Sequence, residues 1–134
     1  MGFRLLEHTA DVRAECRAAR FEELLVVAAQ ALNAVALHEV RAQTDTERKI
    51  EALGSTPEDL LIRWLQELIF LMDVEHFVGV EFDISCESTR VLAKVRGYLH
   101  GPEERAIEIK AATYHDLKIR ESDGGLVVNV LFDV

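Results

Sequence analysis

Cysteine, proline and positive charge are all scarce in this chain, and each shortage excludes something. The two cysteines, Cys16 and Cys86, lie far apart with no CxxC or Cys/His spacing, which argues against a zinc site. Their spacing leaves a disulfide undecided, and a reducing compartment is the default expectation. Only two prolines and 49% hydrophobic residues argue against disorder. No apolar stretch reaches the roughly 18 residues a membrane helix needs, and no charged-then-apolar leader opens the sequence. A soluble, cytoplasmic protein is expected. Met1-Gly2 is not an N-myristoylation signal, because Leu6 stands where that motif needs Ser or Thr. No phosphate-cradling glycine loop, HExxH helix or nucleophile elbow occurs.

Fifteen basic residues face 24 acids, for a formal net charge of −9. Such a chain has no electrostatic footprint for a phosphate backbone, so direct high-affinity nucleic-acid binding is not expected. A basic protein partner or a bound cation matches the summed field better. At 134 residues the chain is long enough for one domain, residues 1–134, with a core that needs no disulfide staples.

Residues 3–7 and 12–18 read as two strands around a turn at His8–Asp11, the second alternating Val12, Ala14 and Cys16 with Arg13, Glu15 and Arg17. Phe21, Leu24, Leu25, Ala28, Leu32 and Val35 follow at helical spacing. A strand is expected near the end of the polar stretch 41–53. A second helix begins at a strong signal: Thr56 as cap, Pro57 at the first helical position and Asp59 three residues after the cap. Its apolar face runs Leu60, Leu61, Trp64, Leu65, Leu68, Ile69 and Met72, with Arg63 and Glu67 spaced for a surface ion pair. Phe70 lies off that face, either tucked under a loop or exposed as an anchor for a partner. From Phe77 the period becomes two, with runs at 77–84, 91–97, 106–114, 117–121 and 126–134. Ser122-Asp123-Gly124-Gly125 has the chemistry of a hairpin turn. The fold predicted is α+β, with two helices packed on one face of a mainly antiparallel sheet.

Candidate sites are few. Asp133 is followed only by Val134, which places a terminal carboxylate beside an acid. Asp11 ends the His8–Asp11 turn after the first apolar run. If the two ends pair in one sheet, three carboxylates converge, with no obvious cation among their sequence neighbours. Clustered anions of this kind suit a hard, oxygen-loving cation, Ca²⁺ or Mg²⁺. Lys110, on a strand with Ala112 and Tyr114 on one face and Ala111, Thr113 and His115 on the other, either neutralises the cluster, grips an anionic group, or simply extends from an edge strand. His8 and His115 have no Ser or Cys nucleophile beside them in sequence, and a lone His is more often structural. Glu75-His76 reads as a solvated pair on a loop after the second helix.

Four segments, Glu7-His8-Thr9-Ala10-Asp11, residues 61–73 (LIRWLQELIFLMD), residues 109–117 (IKAATYHDL) and residues 130–134 (VLFDV), together resemble the archease family, in order and over essentially the whole chain. The resemblance implies a small cytoplasmic accessory protein, not an enzyme, for the RNA ligase RtcB in tRNA splicing and RNA repair. Such a protein promotes guanylylation of the ligase's active-site histidine, allows multiple turnover and broadens nucleotide use. By the same resemblance a metal site, usually described with Ca²⁺ (Mg²⁺ or Mn²⁺ being alternatives), falls on Asp11, Asp133 and Val134. Lys110 and Asp133 are the residues it implies for activation.

Two other classes compete. A general chaperone or assembly factor acting through Phe70 and the second helix predicts indifference to Asp133 and Lys110. A metal-dependent hydrolase with Asp11 and Asp133 as ligands and His115 as base predicts turnover with no partner present.

Overall fold

A computed structural model of the chain describes residues 1–7 and 11–134, and the side chain of Glu7 is not among what it describes. His8, singled out above, lies outside the described residues. In chain order the elements are β1 (Gly2–Glu7), β2 (Asp11–Ala18), α1 (Phe21–Ala36), β3 (Thr46–Leu53), α2 (Pro57–Glu75), β4 (Phe77–Glu87), β5 (Arg90–Leu99), β6 (Ala111–Thr113), β7 (Arg120–Ser122) and β8 (Gly125–Asp133). A 3₁₀ turn, Pro102–Glu104, lies between β5 and β6.

The α+β class, the two helices and the antiparallel pairing are as the sequence predicts, but the strands divide into two sheets. One has the order β1-β2-β8-β6 with β7 also on β8, and the other runs β3-β5-β4. Both helices touch both sheets, α1 against β1, β2, β8 and β4, and α2 against β3, β4, β5 and β6. This is why the helices are apolar around much of their circumference: Leu24, Leu25, Ala28 and Leu32 of α1 and Leu61, Ile62, Trp64 and Leu65 of α2 are all buried. Trp64 donates its indole N–H to the Leu25 carbonyl oxygen at 2.9 Å and meets Phe82 edge to face, so it ties α1, α2 and β4 together.

Local signals placed several boundaries. The Thr56 hydroxyl accepts the Asp59 N–H at 3.0 Å, and the Asp59 carboxylate in turn accepts the Ser55 N–H at 3.1 Å. The Asp123-Gly124 turn has both residues at positive φ (52° and 77°), the type I′ geometry that matches strand twist. In the second sheet only glycine fits at 97, since a Cβ there would stand 1.7 Å from the Val78 carbonyl oxygen.

Four expectations fail for identifiable reasons. The run 106–114 forms only the three-residue β6. The N–H groups of Ala106 and Ile107 go instead to the Ala36 carbonyl oxygen at the end of α1, and those backbone donors cannot also join a sheet ladder. Ala112 is buried while Lys110 and Tyr114 are exposed, so the three do not share one face. Arg63 pairs with Asp59 (3.4 Å), one turn back, rather than with Glu67. Glu75 is the last residue of α2 and pairs with Arg48 at 2.6 Å, so it is not a solvated loop residue, whereas His76, the left-handed cap that follows the helix, is exposed as expected. Phe70 is 53% exposed rather than tucked under a loop. Both cysteines are free, and burial pushes the Cys16 thiol up to about 12.

Candidate functional site

The first sheet brings the chain ends together. In the β2–β8 ladder Asp11 faces Asp133, Arg13 faces Leu131 and Glu15 faces Asn129. Directly opposed residues project to the same side of a sheet, with Cβ atoms about 5 Å apart. Val128, Val130 and Phe132 of β8 and Ala14, Cys16 and Ala18 of β2 are buried, so the alternate set, including both aspartates, points away from the helices. Asp133 is exposed and Asp11 half-buried on this outer face.

β6 completes the arrangement from the other side of β8. Ala111 faces Asp133, leaving only a methyl beside the carboxylate, and the Lys110 N–H donates to the Asp133 carbonyl oxygen at 2.8 Å. Lys110 therefore stands alongside the Asp133–Val134 backbone. Its predecessor Ile109 is buried, which turns the exposed Lys110 outward. Val134 packs partly against the hydrophobic core, anchoring the last main-chain group. One expectation changes here. Arg13 follows Asp11 by two positions on the same outer face, so a cation does lie in the acids' neighbourhood.

The donor set of Asp11, Asp133 and Val134 is oxygen only, the chemistry that suits Ca²⁺ or Mg²⁺ rather than zinc or copper. Among the described residues no group of three His, Cys, Asp or Glu side chains is placed to hold a metal. Asp11 and Asp133 would offer such a cation two side-chain carboxylates, and a main-chain oxygen of Val134 and water would have to complete the shell. No helix among the described residues is long and apolar enough to cross a membrane. His115, the base of the hydrolase reading, is exposed and pairs with its neighbour Asp116 at 3.2 Å, on a loop outside the carboxylate ladder.

The sequence model of the Archease protein family (MTH1598/TM1083) matches residues 3–134. The chain belongs to the archease family. It is 30% identical to the archease of Archaeoglobus fulgidus over 137 residues, covering all of both chains. To the archease of Pyrococcus furiosus it is 34% identical, over 96% of this chain and 95% of that one. The solution structure of protein 1598 of Methanobacterium thermoautotrophicum superposes with a TM-score of 0.82 at 28% identity, covering 99% of each chain. The crystal structure of a Thermotoga maritima archease, described as a possible chaperone, superposes at 0.72 with 25% identity, covering 98% of this chain and 96% of that one.

One polar contact near the site was not legible in the archease motifs. The Tyr114 hydroxyl donates to Asp59 Oδ1 at 2.5 Å, joining the segment after β6 to the start of α2. That bond, with the Ser55 N–H behind it, holds the Asp59 carboxyl below its ordinary range, and the same bond pushes the Tyr114 phenol up. The contact needs an ionised acid and a neutral phenol. Its stabilisation is full above the ordinary carboxyl value and lost as pH falls through the depressed one. It is full below the ordinary phenol value and lost as pH rises through the raised one. Wild type should therefore be more stable than Tyr114→Phe by a constant margin between about pH 5 and pH 9, shrinking at both extremes. Denaturant midpoints across pH test this, and a margin that never shrinks contradicts it.

Proposed function

We propose that the chain activates an RNA ligase of the RtcB type, promoting its guanylylation and multiple turnover through the Asp11–Asp133–Val134 cluster and Lys110. The observation that carries this reading is the register that sets Asp11 opposite Asp133 on the outward face, with Lys110 bonded to the same Asp133 backbone. Those are the residues that the archease motifs single out, and they come from three separate stretches of sequence. The Asp133 carboxylate is exposed, where a partner can reach it, with the half-buried Asp11 directly across the ladder. The net charge of −9 repels RNA and favours a basic protein surface, steering association without competing for the substrate. A hard divalent cation held there would offset the negative charge of a nucleoside triphosphate. Asp11 and Asp133 fix two oxygens on neighbouring strands of a rigid ladder. Lys110, whose backbone is bonded to Asp133, carries an exposed ammonium that can meet a phosphate or an acidic side chain of the ligase.

Lys110→Ala tests the role of that ammonium. It is expected to lose most of the stimulation of single-turnover guanylylation while leaving calcium binding, followed by calorimetry, at wild-type strength or slightly above. Full stimulation by this variant contradicts the assignment.

A second reading has one observation in its favour. Phe70 and Val74, one turn apart on α2, are 53% and 60% exposed, an apolar surface that fits the description of the Thermotoga relative as a possible chaperone. It predicts that Phe70→Ser abolishes protection of unrelated clients from aggregation and that Asp133→Ala does not.

A further inference from the structure

The segment carrying Lys110 is held along its length by one side of α2. The Arg105 guanidinium pairs with Asp73 at 3.0 Å, the Ala112 N–H donates to Gln66 Oε1 at 3.3 Å, and the Tyr114 hydroxyl donates to Asp59. The Ile119 N–H donates to Glu58 at 2.9 Å. Residues 105–119 thus run antiparallel to α2. Asp59, Gln66 and Asp73 are spaced by seven, close to two helical turns, so they form a line along the helix. This polar line lies beside the buried stripe of Leu61, Leu65, Leu68 and Met72.

Within the line Gln66 has a distinct position. β6 is an edge strand of three residues, with β8 as its only neighbouring strand among the described residues. So short a strand at an edge is weakly specified and exposes backbone groups on its open side. Gln66 takes the Ala112 N–H on that open side, two residues after Lys110. Lys110 is then bracketed by three anchors: buried Ile109, its own N–H on Asp133, and Ala112 on Gln66. We propose that Gln66 is a positioning residue for Lys110, its carboxamide oxygen fixing β6 so that the lysine stays beside Asp133. This rests on the activator reading above.

The test is guanylylation of the cognate ligase by Gln66→Leu, Gln66→Glu, Lys110→Ala and the double variant Gln66→Leu/Lys110→Ala. Gln66 is exposed, so none of its substitutions disturbs the core. Loss of one hydrogen bond predicts about a fivefold lower maximal stimulation for Gln66→Leu, with an unchanged half-saturating concentration. Gln66→Glu keeps the acceptor oxygen and restores the wild-type maximum. Adding Gln66→Leu to Lys110→Ala costs nothing more, because the lysine it positions is gone. In the free protein, amide exchange at Ala112 accelerates in Gln66→Leu and not in Gln66→Glu. The inference is overturned if Gln66→Leu stimulates like wild type while Lys110→Ala does not, if the two losses multiply, or if Ala112 exchange is unchanged. Full stimulation by Lys110→Ala overturns the activator role itself, and this inference with it.

Discussion

Asp133→Ala is expected to remain folded, lose its tighter calcium binding, and fail to accelerate ligase guanylylation. The first part follows from exposure. The Asp133 side chain points outward, and its contributions to the fold, the ladder with β2 and the carbonyl that accepts the Lys110 N–H, are main-chain. A surface change of this kind costs within about 0.5 kcal/mol. The second follows from the proposed donor set: removing one of its two side-chain carboxylates leaves Asp11 and a Val134 main-chain oxygen, too few for a hard cation that wants six or more oxygens. The third is the consequence of the proposed function. Single-turnover guanylylation reads the loss, calorimetric titration reads the metal, and a thermal melt within a degree or two of wild type shows the fold is kept. Undiminished stimulation by this variant contradicts the role given to the cluster.

Trp64→Ala should have the largest effect on stability. The indole is fully buried where α1, α2 and β4 meet, hydrogen-bonded to the Leu25 carbonyl oxygen and packed edge to face on Phe82. Its removal opens a cavity between the two helices and β4, so collapse on one side pulls the other out of place. A loss of about 3–5 kcal/mol is expected, lowering the melting temperature by roughly 10 °C or more. Trp64→Phe retains most of the volume and loses only part of this. Denaturant titration measures both, and equal losses for the two variants would show that volume is not what Trp64 contributes. Because α2 also holds the Lys110 segment, Trp64→Ala is expected to weaken stimulation through folding rather than through the site.

The elements that were legible in sequence carry a local signal. The cap of α2 was readable because Thr56, Pro57 and Asp59 act within one turn, and the hairpin because Asp123-Gly124 needs positive φ. The division into two sheets was not readable, since alternation says which face of a strand is buried but not which strand it joins. The run 106–114 misled for a related reason: Ile107 and Ile109 alternate like a strand, yet the backbone there serves the end of α1. In the candidate site, Asp11, Asp133, Val134 and Lys110 were legible from the archease motifs, and the cross-strand register adds a physical reason for their proximity. Gln66 was hidden because a polar residue on a helix reads as solvated. Its seven-residue spacing from Asp59 and Asp73 was the one available signal, and it gains meaning only once a segment is known to lie along that line.

As proposed, this chain acts on a ligase rather than on RNA. Single-turnover guanylylation of the cognate RtcB-type ligase, with GTP and a divalent metal, in the presence and absence of the wild-type chain, tests it most directly. Faster formation of the guanylylated ligase is expected when the chain is present, at concentrations too low to act as a bulk metal buffer. Identical rates with and without a folded chain would contradict it.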